Sequence, residues 1–261
     1  AKWKRQVCDR VAVVTGGLAG IGHAIAVTLA SQGVRVAIGA RRGKDAALQQ
    51  HMRETVGSET FVDALDVCDE RSVTAFFDGV TQRVGPVDIL VNAAGVTLHQ
   101  TVTDHSLKDW RAVMDTNLTG PFLTTRAALP AMIARGWGRI VNIGSTAVRT
   151  AQPDYPAYCA SKAGLLGLTR AVALEGAPHG VSCVMISPTW VETDMLRSSA
   201  AQMATASGRT QEEEIAQIAR SNPQTRLVQP DEVAALVAFF CSDRAPALTM
   251  EDIQVNAGAL W

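Results

Sequence analysis

The chain has 261 residues, 47% of them hydrophobic, with a formal net charge of -1. That length suits one large α/β domain or two small ones, and the apolar content can fill a sizeable core. Acidic and basic residues are interspersed, and no apolar run approaches the ~18 residues of a membrane-spanning helix, so neither a nucleic-acid nor a membrane partner is expected.

The first short apolar run covers residues 11–15. It leads into Gly16, Gly17, Leu18, Ala19, Gly20, Ile21 and Gly22, and then into a helical pattern over 21–31. Strand, glycine turn and helix in that order form a phosphate-binding device. The glycines permit a tight turn and a close backbone approach. The helix start then offers free N–H groups and a positive dipole end to a pyrophosphate. The spacing differs from G-x-G-x-x-G, but the physical logic is the same. A second run, 34–39, ends before Arg41 and Arg42. A site built for NAD(H) normally places an acidic residue there for the ribose 2′-hydroxyl. Two arginines suit a 2′-phosphate, so NADP(H) is expected over NAD(H).

Further runs follow at 60–65, 87–92, 139–144, 181–187 and 252–255, alternating with helical patterns at 44–56, 70–84, 107–135, 157–175 and 231–241. The strands lack strict alternation, as expected when both faces are covered. This order predicts one Rossmann-type domain over 1–261: a doubly wound, parallel, seven-stranded sheet with helices on both faces. The stretch 188–229 interrupts the rhythm and reads as one or two extra helices. Lying beyond a strand's carboxyl end, at about 189–229, it is placed to act as a substrate lid. Cys8, Cys68, Cys159, Cys183 and Cys241 form no C-x-x-C pair. A reduced, cytoplasmic compartment is expected, with neither disulfides nor a metal site. The polar N-terminal residues carry no secretory h-region.

The most telling pattern is Tyr158, Cys159, Ala160, Ser161, Lys162, with Ser145 just past the 139–144 run. Tyr158 and Lys162 stand one helical turn apart, on one face. A phenol with a pKa near ~10 is a poor acid or base at neutral pH. A neighbouring ammonium is expected to lower that pKa. Ser145 would then hydrogen-bond a carbonyl oxygen. These are the parts needed to polarise a ketone and protonate the alkoxide.

Taken together, these residues resemble the short-chain dehydrogenase/reductase family over nearly the whole chain. The resemblance also draws on Asp66, Val67, Asn92, Ala93, Ala94, Gly95, Asn117 and the stretch 188–193. It implies that Tyr158 is the general acid or base and that Lys162 binds the nicotinamide ribose. Ser145 would hold the substrate oxygen, and Asn117 would position a water in a proton relay. Gly16, Leu18, Gly20, Ile21 and Gly22 would cradle the cofactor. Asp66 and Val67 would contact adenine; Asn92, Ala93 and Gly95 would flank the cofactor; Pro188, Val191 and Thr193 would meet the nicotinamide end. Two features depart from the family pattern. Pro188-Thr189 stands where Pro-Gly is usual, which questions the backbone shape near the nicotinamide. Ala19 replaces a basic residue that some NADP-dependent members carry. Members are commonly homotetramers that pair through two long helices, here 107–135 and 157–175.

By the same resemblance the substrate pocket is lined by Ser145, Ala147, Gln152, Tyr155, Trp190 and Met195, with Thr97, Leu98 and Leu196 nearby. The set lacks the His and Lys of a carboxylate clamp. It points to reduction of a small-molecule ketone to a secondary alcohol, of 3-oxoacyl type or small aromatic or aliphatic. Arg135 and His179 lie where carrier-protein ketoreductases place basic residues, and Arg149 could meet an acidic substrate or simply sit in a surface loop. Alternatives are a polyol, sugar or 3-hydroxy acid dehydrogenase of the same family, and a non-catalytic NADP(H)-binding sensor.

Overall fold

The structure, a computed structural model, describes residues 9–151 and 153–259. Its strands are β1 (Val11–Thr15), β2 (Arg35–Ala40), β3 (Phe61–Ala64), β4 (Ile89–Asn92), β5 (Gly138–Ile143), β6 (Val181–Pro188) and β7 (Asp252–Val255). They form one parallel sheet in the order β3-β2-β1-β4-β5-β6-β7. The order reverses between β1 and β4. Both strands end at the same edge, with Thr15 paired to Asn92, so a crevice opens there. The expected fold class holds.

The helices are α1 (Gly20–Ser31), α2 (Ala46–Thr55), α3 (Glu70–Arg83), α4 (Leu107–Met114), α5 (Gly120–Arg135), α6 (Pro156–Gly176), α7 (Asp194–Ser207), α8 (Gln211–Ser221) and α9 (Pro230–Cys241). They cover both faces of the sheet. Ile25, Leu29, Val237 and Phe240 pack on Val14, Ile38 and Val184 on one face. Val80, Leu123, Met132 and Val172 pack on Val13, Leu90 and Ile140 on the other. The β1, β4 and β5 side chains are fully buried, which is why the sequence shows apolar runs without alternation.

One element differs from expectation, and the excursion after β6 resolves as expected. The helix predicted over 107–135 is two helices joined by a π-turn at Asp115–Thr119. Such bulges are common at functional sites, and this one carries Asn117. The stretch 188–229 forms two helices, α7 and α8, which pack through their own small apolar cluster of Leu196, Ile218 and Leu227. A parallel bridge between Val191 and Val228 ties the two ends of that excursion together. Elsewhere boundaries shift by a residue or two, since caps such as Asp45 and Asp69 decide where a helix starts.

Candidate active site

Two cavities open at the carboxyl edge of the sheet. One is a groove lined by Gly16, Gly20, Gly22, Arg41, Asp66, Val67 and Cys68. The other is a pocket lined by Ser145, Ala147, Tyr155, Tyr158, Lys162 and Trp190. Ile21, Ala93, Gly95, Thr193 and Met195 border both, so groove and pocket form one continuous cleft.

The groove is shaped by the main chain. Gly16 has a φ of +68°. A Cβ there would fall 2.8 Å from Ala94 Cα, so no other residue fits without moving the loop after β4. The Thr15 hydroxyl fixes that loop by accepting from the N–H groups of Ala93 and Ala94, each at 3.1 Å. At the start of α1 the cap residue Ala19 is extended and offers no side-chain bond to the first N–H groups. These donors face the groove, as a pyrophosphate would require. Arg42 is bound to Asp45 at 2.8 Å, whereas Arg41 lines the groove, exposed and without a partner among the described residues. The two predicted phosphate arginines therefore divide, and only Arg41 is placed for the role. The Asp66 carboxylate accepts from Cys68 N–H at 3.0 Å and shapes the turn beside Val67.

Two predicted contacts lie elsewhere. Leu18 packs on the core instead of lining the groove. Asn92 turns inward. Its amide nitrogen donates to Asn142 Oδ1 at 2.8 Å, and its oxygen accepts from the Thr124 hydroxyl at 2.6 Å. Because β4 is covered on both faces, its last side chain belongs to the core; Ala93 and Gly95 alone of the three predicted loop residues reach the cleft.

In the pocket, Ser145 follows β5 and Tyr158 projects from the first turns of α6. The Ser145 oxygen accepts from Ala147 N–H at 3.1 Å, which leaves its hydrogen free to donate. The Lys162 ammonium donates to Ile143 O at 2.8 Å and stands 5.6 Å from the centre of the Tyr158 ring. The expected fall in the phenol pKa is absent. Burial pushes Tyr158 up, with Ser145 pulling the other way. Burial also pushes Lys162 down to about 8, which weakens the charge it can lend. Without a cofactor, the site keeps its phenol protonated.

Asn117 is buried in the π-turn. Its amide nitrogen donates to Val96 O at 2.9 Å and to Ser161 Oγ at 3.1 Å, while its oxygen accepts from Val96 N–H at 2.9 Å. The side chain thus clamps the loop after β4, and a water held at Asn117 would need its main chain.

Ala147, Tyr155, Trp190 and Met195 line the pocket as expected, along with Thr97 and Leu196; Pro188, Val191 and Thr193 line it too. Leu98 does not. Gln152 lies outside the described residues, as does Cys8. Thr189 also lines the pocket, and it is absent from the described residues with positive φ, so threonine sits there without strain. Arg149 is no substrate clamp, nor a free surface charge. Its guanidinium binds the buried Asp252 carboxylate at 3.1 Å. Arg135 binds Asp88 at 3.2 Å at the opposite end of the sheet, and His179 lies in the turn after α6, before β6 begins. Sequence reasoning missed Thr15, His99 and Ser199. His99 lies in a loop at the carboxyl edge of the sheet, where any polar side chain is a candidate.

A serine, tyrosine and lysine gathered at the end of a glycine-turn groove is decisive when the chain pattern agrees. The model of the family described as short chain dehydrogenase matches residues 10–204. The chain belongs to the short-chain dehydrogenase family. It is 36% identical over 251 residues to the acetoacetyl-CoA reductase of Allochromatium vinosum, covering 95% of this chain and 98% of that protein. It is 38% identical over 251 residues to the 3-oxoacyl-(acyl-carrier-protein) reductase of Aquifex aeolicus, covering 95% and 96%. Among solved structures, a variant of actinorhodin polyketide ketoreductase with NADPH matches with a TM-score of 0.92 and 36% identity, over 96% of this chain and 97% of that one. The ligand-free aldohexose dehydrogenase of Thermoplasma acidophilum matches with a TM-score of 0.86 and 28% identity, over 97% and 94%.

Proposed function

We propose that this short-chain dehydrogenase reduces a ketone, of 3-oxoacyl type in preference to other carbonyls, to a secondary alcohol with NADPH. One observation carries the reading: Ser145, Tyr158 and Lys162 gather in a pocket that is continuous with the groove holding the glycine turn and Arg41. The groove fits a dinucleotide phosphate, because a Cβ would fill the space at Gly16 and the first N–H groups of α1 are uncapped. Gly16, Gly20, Ile21 and Gly22 would hold the pyrophosphate, Arg41 the 2′-phosphate, and Asp66 and Val67 the adenine. Ala93, Gly95, Val191, Thr193 and Lys162 would hold the nicotinamide end. When bound, the cofactor supplies a hydride.

The chain's residues supply the rest. Ser145 donates to the substrate oxygen and orients it. Tyr158, kept protonated by burial, gives its proton to the oxygen as negative charge develops there. Lys162 stabilises the phenolate that remains. Burial near the ring excludes water and strengthens these interactions. The names of the relatives, acetoacetyl-CoA reductase and 3-oxoacyl-(acyl-carrier-protein) reductase, support the substrate class. The α7–α8 excursion contributes Met195 and Leu196 to the pocket wall, as a lid would.

A cytoplasmic homotetramer belongs to the same proposal. No described helix is long and apolar enough to cross a membrane. Phe122 and Leu174 are exposed on the two helices that would pair, and light scattering of the purified chain tests the assembly. The activity is tested with a ketone panel, following loss of the reduced nicotinamide absorbance. Turnover with NADPH is expected, with NADH much slower. NADPH binding with every carbonyl inert would sink the reading and leave a nucleotide sensor.

A further inference from the structure

One polar cluster on the pocket wall has no part in the chemistry above. Tyr155 sits at the start of α6, just ahead of Tyr158. Its hydroxyl lies 2.9 Å from His99 Nε2. The same nitrogen lies 3.0 Å from Ser199 Oγ. Three separate places in the chain therefore converge: the loop after β4, the start of α6, and α7. Tyr155 and Ser199 are buried, yet both line the pocket.

The Tyr155 ring is held on several sides. It packs on His99 at 4.2 Å between ring centres, and meets Tyr158 and Trp190 edge-on at 6.3 Å and 6.5 Å. Its hydroxyl is thus fixed close to the reacting end of the pocket. Hydrogen-bond counting gives that hydroxyl a use. Burial lowers the His99 pKa, so the ring is neutral and Nε2 offers either one hydrogen or one lone pair. With the hydrogen on Nε2, the ring donates to the Tyr155 oxygen, and the Tyr155 hydrogen is left to pass between Ser199 Oγ and a ligand acceptor in the pocket. Among the described residues, Lys162 is the sole charged side chain lining the pocket, and it stands at the Tyr158 end. The Tyr155 end offers a donor with no counter-charge. It suits a neutral carbonyl oxygen and not a carboxylate.

The geometry points to a second oxygen subsite: Tyr155, positioned by His99 and Ser199, takes the second carbonyl of a 1,3-dicarbonyl substrate whose ketone rests on Ser145 and Tyr158. This rests on the ketone-reductase reading and specifies it. The preferred substrates are 3-oxo esters and thioesters, ahead of isolated ketones and of free 3-oxo acids. His99 is a positioning residue: it aims the Tyr155 hydroxyl and ties it to α7.

The test is steady-state kinetics of the purified full chain at saturating NADPH. It compares a 3-oxo ester, the matched ketone lacking the ester carbonyl, and the free 3-oxo acid. Wild type is expected to favour the ester. Tyr155→Phe and His99→Leu should each lower the ester-to-ketone ratio of kcat/KM about tenfold, chiefly through KM for the ester. His99→Gln can place an amide where Nε2 stood and should restore part of the ratio. Ser199→Ala reads the same ratio should His99→Leu fail to fold. Ratios unchanged in folded variants that still bind NADPH overturn the subsite and leave the reductase reading intact. So does a wild type that prefers the ketone or the acid. A wild type that reduces no ketone at all refutes the reductase reading, and the subsite falls with it.

Discussion

At the groove end of the cleft the chain presents mainly main-chain groups; at the pocket end it presents mainly side chains. The groove depends on what is missing, a Cβ at Gly16 and a side-chain cap at Ala19. The pocket depends on what is present, the hydroxyls of Ser145 and Tyr158 and the amine of Lys162. The contrast teaches that the two halves fail differently. Adding a methyl group damages the first, and removing a single oxygen disables the second.

The comparison is sharpest at Tyr158. Tyr158→Phe is expected to lower kcat by about 10²–10⁴-fold, the usual worth of a positioned acid, while the NADPH dissociation constant stays within about threefold. Loss of binding and turnover together would show that the halves are not separable.

The mirror experiment is Gly16→Ala, where a methyl group must displace Ala94 and adopt a φ of +68°. NADPH affinity should fall about 10- to 100-fold, equivalent to 1–3 kcal/mol of strain, as read by fluorescence titration.

Lys162 serves both halves, and its stability signature differs from its role in binding. Its pKa is about 8 folded against 10.5 unfolded, so between those values the unfolded chain holds more protons. Lys162 should therefore add stability as pH increases from about 8 to about 10.5, by up to about 3 kcal/mol, while the buried thiols of Cys183 and Cys241, which burial pushes up, oppose it above about 9. Urea midpoints across that range test this. Lys162→Met should remove that contribution, so the difference in midpoint between wild type and variant shifts in favour of wild type as pH rises, and should abolish the activity.

Arg41 and Arg42 give the smallest effects and the clearest split. Arg41→Ala should raise KM for NADPH about tenfold and leave NADH little changed, as loss of a charge-assisted phosphate contact predicts. Arg42→Ala should change KM by less than about threefold, because that guanidinium serves Asp45, an exposed pair of small worth. Equal effects would return the pair to a shared role.

Much of this was legible in the residues. The parallel, doubly wound sheet followed from alternating apolar runs and helical patterns, and Ser145, Tyr158 and Lys162 from spacing on a strand end and a helix face. The failures share a cause: direction cannot be read along a chain. Asn92 ends a strand beside the cleft, yet its side chain points into a core with Asn142 and Thr124 waiting as partners. Arg42 and Arg149 look available until Asp45 and Asp252 are brought against them. Spacing reveals the ammonium beside the phenol and conceals the burial that acts on both groups, so the direction of the phenol's pKa is not legible in the chain. His99 and Ser199 are far apart in sequence and meet only once α7 folds over the loop after β4.

The bridge between Val191 and Val228 has a practical corollary. It stitches the base of the α7–α8 hairpin to itself, beside β6, while Gly208 and Arg209 at its tip stand exposed. A protease that nicks the tip would therefore yield two fragments that stay associated through the sheet. Such a nicked form separates the hairpin's tether from its contents: substrate selectivity could loosen while the Rossmann half still grips its nucleotide.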